Sequence, residues 1–372
     1  MPSVLITAST FSHIMNFHLP YLRRFRELGW QVHVACGGAM RDIPFADVTT
    51  VLPLEKKMSS PANFRAAKLL RGMMEREHYD LVIAHTSLAA FFTRWAARGM
   101  HDRPGIINVM HGYLFTDETP AAKKLLLTKA ELLTAPQTDL VLTMNAWDTR
   151  WAVEHCAAAR VEEIPGMGVD LSRFRAAGET RQTMRDRLGF AEGDIALLYP
   201  AEFSGRKDQA MLLRAMTKLP PHIKLLLPGS GELLESCRAL AGELGVADRA
   251  QFPGQVHDIP VWLGAADIAV SASRSEGLPF NIMEAMACGL PTVASAVKGH
   301  TDLIGPENGL LFPRGDEAAF ADAVRRLAED AGLRAQLGQA GREKMQRYAL
   351  ETVLPQVMER YLSVTGDKGK QI

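Results

Sequence analysis

Short apolar runs separated by amphipathic stretches of helix length recur from one end of the chain to the other. They stand at residues 4–6, 32–35, 81–84, 106–110, 140–142 and 161–164, and again at 196–199, 223–227, 250–252, 268–270, 292–294 and 310–312. Between them apolar side chains return at helical spacing, as Phe17, Tyr21, Phe25 and Leu28 do on one face. Strands alternating with helices in this way predict an α/β protein built on parallel sheets with helical crossovers. Two successive sets of strands predict two domains, and 372 residues suffice for a separate core in each. The seam falls at the breaker-rich run PGMGVD (165–170), followed by polar residues 175–179. The expected division is therefore 1–171 and 172–349. A last amphipathic helix over 350–364 carries Val353, Val357, Tyr361 and Leu362.

Composition narrows the partners. Forty-two Lys and Arg against 42 Asp and Glu give a formal net charge of zero, so no long-range field draws the chain to nucleic acid or to an anionic membrane. Any phosphate must be met by locally placed charges. The four cysteines (Cys36, Cys156, Cys237, Cys288) form no C-x-x-C pair, which argues against a zinc site or a disulfide framework and for a reducing cytoplasm. Residues 1–6 lack a basic region before a long apolar core, so no signal peptide is expected. No apolar run approaches the roughly 18–20 residues of a membrane span, and any membrane contact would be at the surface.

The chemistry concentrates in residues 273–291, SRSEGLPFNIMEAMACGLP. Two carboxylates, Glu276 and Glu284, stand eight positions apart, the first in a Gly/Pro loop and the second in a helix ended by Gly289 and Pro291. A strand–loop–helix unit puts its loop at the carboxyl edge of a parallel sheet, where open α/β folds bind ligands. A carboxylate there accepts hydrogen bonds, and sugar hydroxyls are the natural donors. Asn281 reads as the N-cap, which leaves a second reading for Glu284, that of a capping-box partner three residues on. Arg206-Lys207 follow the strand at 196–199 and open a helix through Leu213 and Met216, an anion-binding arrangement or else a solvated charge pair. Gly229 and Gly231 sit in the next strand–helix turn, either beside a ligand or simply making the turn tight. In the first domain His111-Gly112 follow the strand at 106–110, and His13, Asn16 and His18 follow the first strand. A buried turn-capping histidine is the plainer reading of His111. The remaining histidines show no metal-ligand spacing, and the first strand–helix turn lacks G-x-G-x-x-G, which argues against a NAD-dependent oxidoreductase.

Glu276 and Glu284, taken with NFHLPY (16–21), HG (111–112), PGMGVD (165–170), RK (206–207) and NGLLF (308–312), resemble the E-x7-E retaining glycosyltransferases of family 4. The N-terminal segments are most similar to bacterial enzymes that assemble capsular, exopolysaccharide or protein-linked glycans. The resemblance implies the GT-B fold: two Rossmann-like domains facing across a cleft, with the C-terminal helix crossing back to the first. The first domain would bind the acceptor and the second the nucleotide sugar. Arg206 and Lys207 would neutralise the diphosphate, and Glu276 would meet the donor sugar's hydroxyls. Gly277, Leu278, Pro279 and Phe280 would face sugar and phosphate, while Glu284 would hold the ribose. Gly229, Gly231 and Val256 would lie near the nucleotide, His111 near the transferred sugar, and His13, Asn16 and His18 on the acceptor side. By resemblance the donor is a UDP-sugar, the acceptor a polyprenyl-diphosphate-linked saccharide, and neither metal nor cofactor is needed. The expected place of work is the cytoplasm, with transient contact to the inner face of the cell membrane through residues 88–98 or 121–129. Two segments depart from the family pattern: ASTFS (8–12) replaces a Gly-rich loop, and HTSLAA (85–90) replaces Pro with paired Gly. Both bear on acceptor contacts. The rival readings are a UDP-sugar epimerase on the same fold and a non-catalytic nucleotide-sugar-binding protein.

Overall fold

Each apolar run becomes a strand, and those inside the sheets are buried on both faces, which is what helices covering both sides of a parallel sheet require. The computed structural model describes residues 1–156, 160–174 and 181–366. The polar seam at 175–179 lies outside the described residues. The chain divides into two compact units, residues 1–168 with 351–372, and residues 169–350.

In the first unit seven parallel strands run β1 (Ser3–Ala8), β2 (Gln31–Gly37), β3 (Val48–Leu52), β4 (Leu81–His85), β5 (Gly105–Val109), β6 (Leu140–Thr143) and β7 (Arg160–Glu163). Their order across the sheet is β3-β2-β1-β4-β5-β6-β7. Strand β3 is the one that the hydrophobic pattern does not predict. It is a half-exposed edge strand, VTTVL, with polar threonines where a central strand would be apolar. In the second unit six parallel strands follow: β8 (Ile195–Leu198), β9 (Ile223–Pro228), β10 (Ala250–Gly254), β11 (Ile268–Ser271), β12 (Thr292–Ser295) and β13 (Gly309–Phe312). Their order is β10-β9-β8-β11-β12-β13.

Both sheets reverse their strand order once, between β1 and β4 in the first unit and between β8 and β11 in the second. At such a reversal the loops leaving the two strands diverge to opposite faces and open a crevice at their carboxyl ends. Topology thus marks one place in each unit for a ligand.

The helix Leu350–Leu362 belongs to the first unit from Glu351 onward. Its Tyr361 ring stacks at 6.2 Å on Phe25 and lies 5.9 Å from Tyr21, whose hydroxyl donates to the Met167 carbonyl at 3.0 Å. Burying these rings anchors the returning chain, as the expected crossover requires.

Candidate nucleotide-sugar site

The second unit's crevice is built by two loops, residues 199–208 after β8 and residues 272–279 after β11. They are bonded to each other directly. The Arg274 N–H donates to the Arg206 carbonyl at 2.8 Å, and the Arg206 guanidinium donates to the Ser275 carbonyl at 3.2 Å. At the centre, Lys207 Nζ lies 2.5 Å from Glu276 Oε1 and Arg206 Nη1 lies 2.8 Å from Glu276 Oε2. Lys207 and Glu276 are nearly buried, whereas Arg206 leaves 49% of its side chain exposed. Burial alone would raise the Glu276 carboxyl, but Lys207 first and Arg206 next outweigh it and hold the group at about 2. The carboxylate is therefore ionised throughout the physiological range. Two cations against one anion leave a net charge of +1, which suits an anionic ligand.

The supports of this triad are residues that spacing does not reveal. The Tyr199 hydroxyl donates to the Lys207 carbonyl at 3.1 Å or exchanges a bond with Ser273 Oγ at 2.7 Å. Ser295 Oγ in turn donates to the Ser273 carbonyl at 2.5 Å, tying the β12 end to the loop after β11. Gly299, at φ +82°, lets its backbone pass so close that a Cβ there would fall 2.8 Å from the Gly277 carbonyl oxygen and 2.9 Å from Glu276 Cβ. His300 follows, buried, its Nδ1 2.8 Å from the Ser295 carbonyl oxygen. The only sequence signal for Gly299-His300 is a glycine opening a strand–helix turn, which is common to many such turns.

Arg206 and Lys207 do not open the helix, which begins at Gln209 with Asp208 as its N-cap. They occupy the tight turn before it, where the N–H of Lys207 donates to the Ser204 carbonyl at 3.0 Å. Asp208 adopts a left-handed φ of +51° and gives its carboxylate to Arg274 at 2.9 Å instead of capping the helix. The chain needs this turn to swing both cations toward the β11 loop.

Asn281 is also not the N-cap. The helix runs Phe280–Ala287 from an N-cap at Pro279, and the Asn281 amide instead donates to the Pro200 carbonyl at 3.2 Å. Glu284 is then the fifth residue of the helix, too far along to close a capping box. Its carboxyl is half-buried, and burial raises it to about 7, partly offset by Arg173. Glu284 takes no part in the Lys207–Glu276–Arg206 bonds. A carboxyl lifted this far without a counter-ion in contact is suited to a ligand's hydroxyl donors.

Gly229 and Gly231 serve backbone packing. Both hold φ of +151°, and a Cβ on either would strike the carbonyl oxygen of Ala201 or Phe203 respectively. The close approach lets the turn after β9 lace to the loop after β8, with Phe203 N–H donating to the Ser230 carbonyl at 2.9 Å and Ala201 N–H to Pro228 at 3.1 Å. The Gly229 N–H donates to the Gly254 carbonyl at 2.8 Å, placing half-buried Val256 two residues beyond the same turn. Gly277, Leu278 and Pro279 are buried between Glu276 and the helix, and Phe280 is half-buried at its start.

In the first unit, the helix after β1, the end of β4 and the loop after β5 bring together His13, His18, His85 and His111. His111 Nε2 lies 3.1 Å from His85 Nδ1 and 3.4 Å from His13 Nε2. The His18 and His85 ring centroids lie 3.9 Å apart, with the rings tilted by 32°. Burial, reinforced by the neighbouring rings, holds His18, His85 and His111 well below the ordinary histidine range, and burial lowers His13 to about 4. All four imidazoles are thus neutral at pH 7. Asn16 stands apart, exposed on the helix Phe11–Phe17. His85, at the end of β4, is absent from the site expected on sequence because nothing in its spacing links it to the other three.

The two candidate membrane segments separate. The helix Ser87–Ala96 is core: Ala89, Ala90, Phe92, Thr93, Arg94 and Ala96 are buried, and Arg94 forms a bidentate pair with Glu131 at 2.7 and 2.8 Å. The helix Ala121–Thr134 instead leaves Leu125 56% and Leu126 70% exposed, next to Lys123 and Lys124. Among the described residues no helix is long and apolar enough to cross a membrane.

Two Rossmann-like parallel-sheet units, each with one reversal of strand order, define the GT-B fold. The comparisons agree. Residues 21–173 match the model of Glycosyltransferase Family 4, and residues 180–344 match that of Glycosyl transferases group 1. The chain is 32% identical over 366 residues to EpsD of Bacillus subtilis (strain 168), provisionally named a glycosyltransferase, covering 96% of each. It is 26% identical over 267 residues to an Escherichia coli UDP-Gal:α-D-GlcNAc-diphosphoundecaprenol α-1,3-galactosyltransferase, covering 69% of this chain and 68% of that one. In fold it resembles a sucrose-phosphate synthase from Thermosynechococcus elongatus, with a TM-score of 0.83, 20% identity, and 98% and 99% of the two chains covered. The chain belongs to the group 1 glycosyltransferases with a family 4 N-terminal domain, and it is a glycosyltransferase.

Proposed function

We propose that this enzyme moves a sugar, with retention of configuration, from a UDP-sugar to a polyprenyl-diphosphate-linked saccharide during assembly of a bacterial surface glycan. The observation that carries the reading is the clamp of Lys207 and Arg206 on Glu276 at the β8/β11 reversal. Its net positive charge suits a departing diphosphate, and its half-exposed Arg206 can turn toward one. In this reading Glu276 and the backbone of 277–280 hold the sugar, Glu284 binds the ribose hydroxyls, and Gly229, Gly231 and Val256 border the nucleotide. His111 positions the transferred sugar, and His13, Asn16 and His18 lie on the acceptor side. The acceptor oxygen bonds to the anomeric carbon as the carbon–phosphate oxygen bond breaks on the same face, and the acceptor's hydroxyl proton passes to the leaving phosphate oxygen. No cofactor or metal takes part in that transfer. UDP and a lipid-diphosphate acceptor are what the name of the E. coli relative gives for that protein. The exposed Leu125, Leu126, Lys123 and Lys129 of the helix Ala121–Thr134 suit contact with an anionic bilayer, which would bring a lipid-borne acceptor within reach.

One set of measurements tests this. UDP-sugars should raise the melting temperature more than GDP- or ADP-sugars, since ligands that bind only the native state stabilise it by mass action. With a short-chain prenyl-diphosphate saccharide and an α-linked donor, the product should be α-linked by NMR. A β-linked product would overturn retention, and an isomerised sugar nucleotide without acceptor would identify an epimerase. Binding with no turnover on any acceptor would point to the non-catalytic reading. In vesicle flotation at low salt, Leu125→Glu with Leu126→Glu should release protein that the wild type retains. Equal flotation of both would remove the membrane contact from this helix.

A further inference from the structure

We propose that His13, His18, His85 and His111 form a site for a divalent transition-metal cation of the zinc type in the first unit. One ligand nitrogen from each lies within 4.8 Å of all the others. Tetrahedral coordination at Zn–N distances of about 2.0–2.1 Å puts ligand nitrogens about 3.4 Å apart. Two of the contacts already stand at 3.1 and 3.4 Å. The widest separation must close by about 1.4 Å (4.8 − 3.4), shared between two rings.

A second observation points the same way. His18 is 1% exposed, and both of its ring nitrogens lack a hydrogen-bond partner. Buried polar atoms nearly always have partners, so an imidazole unsatisfied at both ends among three others is one awaiting a ligand. The ligand set is all imidazole, which suits zinc, cobalt, nickel or copper in place of magnesium or calcium. The scaffold is firm: His85 ends β4, His111 follows β5, and His13 and His18 lie in and just after the helix Phe11–Phe17 that follows β1, and these three strands are adjacent. Thr86, held at a left-handed φ of +64°, bonds Ser9 through its hydroxyl at 2.6 Å, fastening the β4 loop to the β1 loop. Spacing hides the group, because its outermost members are 98 positions apart and stand on a helix, between two helices, at a strand end and in a loop.

The site has a consequence for catalysis that rests on the reading above. A metal on His111 Nε2 takes the nitrogen that would otherwise serve the sugar, so the cation would inhibit transfer. The binding test does not depend on that reading. Tag-free protein stripped with a chelator is titrated with Co²⁺ and followed by its visible d–d bands, and Zn²⁺ stoichiometry is measured by mass spectrometry. The expected result is one cation per chain with the intense spectrum of tetrahedral cobalt. Loss of a direct ligand should weaken binding by about 100-fold, the upper end of what an outer-shell partner costs. His18→Asn tests the buried ring. His13→Gln tests the partly exposed one, with circular dichroism melting to establish that each variant is folded. Wild-type protein without the tetrahedral spectrum, or a folded His13→Gln that binds as wild type does, would overturn the site.

Discussion

Replacing Arg206 with alanine is expected to lower kcat/KM by about 10²–10³, the usual loss when one preorganised charge partner of a developing anion is removed. Stability should change little, because the guanidinium is half exposed and exposed ion pairs contribute about 0–1 kcal/mol. Lys207→Ala should lose a similar amount of activity for a second reason as well. Its ammonium is nearly buried against a nearly buried carboxylate, and breaking such a pair from one side costs about 3–5 kcal/mol. Lys207→Ala should therefore also melt several degrees lower, while Arg206→Ala should not. Steady-state kinetics beside thermal melts separate the two. An Arg206→Ala enzyme with near wild-type kcat/KM would remove the cation pair from the chemistry.

The second large effect concerns Glu284. Its folded carboxyl titrates at about 7 against an ordinary value of 4.5, so between these values the native chain holds a proton that the unfolded chain has released. Stability from this group is complete below about 4.5 and is lost as pH rises through 7. A ribose hydroxyl donor needs the ionised form, so UDP affinity should move the opposite way. It should rise up to about tenfold per pH unit below 7 and level off above, because only the ionised fraction is competent. Glu284→Gln should flatten that profile. A hydrogen bond to a charged group is worth about 1.5–3 kcal/mol, so the variant should bind UDP about 10–100-fold more weakly at pH 8. Its melting temperature at pH 8 should equal or exceed that of the wild type, since no charge is left half-buried. Calorimetric titration of UDP across pH 6–8 with matched melts checks both signs. A loss of stability with unchanged affinity would return Glu284 to a structural role.

Much of the architecture was legible because burial on both faces writes itself into a strand as an unbroken apolar run, as at 140–142 and 268–270. Strand β3 was not, since an edge strand can be half polar and still pair. Glu276 was legible as a carboxylate in the loop between strand and helix, whereas Arg206 and Lys207 were read as opening a helix and stand in the turn before it. The capping of residues 279–284 was misread because an asparagine near a helix start is favoured at the N-cap locally, while here its amide serves a carbonyl 81 positions away. The glycines at 229 and 231 were legible as tight-turn residues, but their neighbours, Ala201 and Phe203, come from another loop.

By itself the sequence determined which residue types were available and which local units would carry them: alternating strands and helices, a carboxylate in a Gly/Pro loop, a cation pair between a strand and the next helix. Local pattern depends on a few neighbouring residues, and so it survives in a linear string. Tertiary structure alone decided that Glu276 receives bonds from residues 69 and 70 positions earlier, that Gly299 and His300 back it, and that four scattered histidines share one corner. Those meetings follow from the reversal of strand order in each sheet, which brings the ends of β8 and β11, and of β1 and β4, side by side. Strand order is a global property of packing, and no window of sequence encodes it.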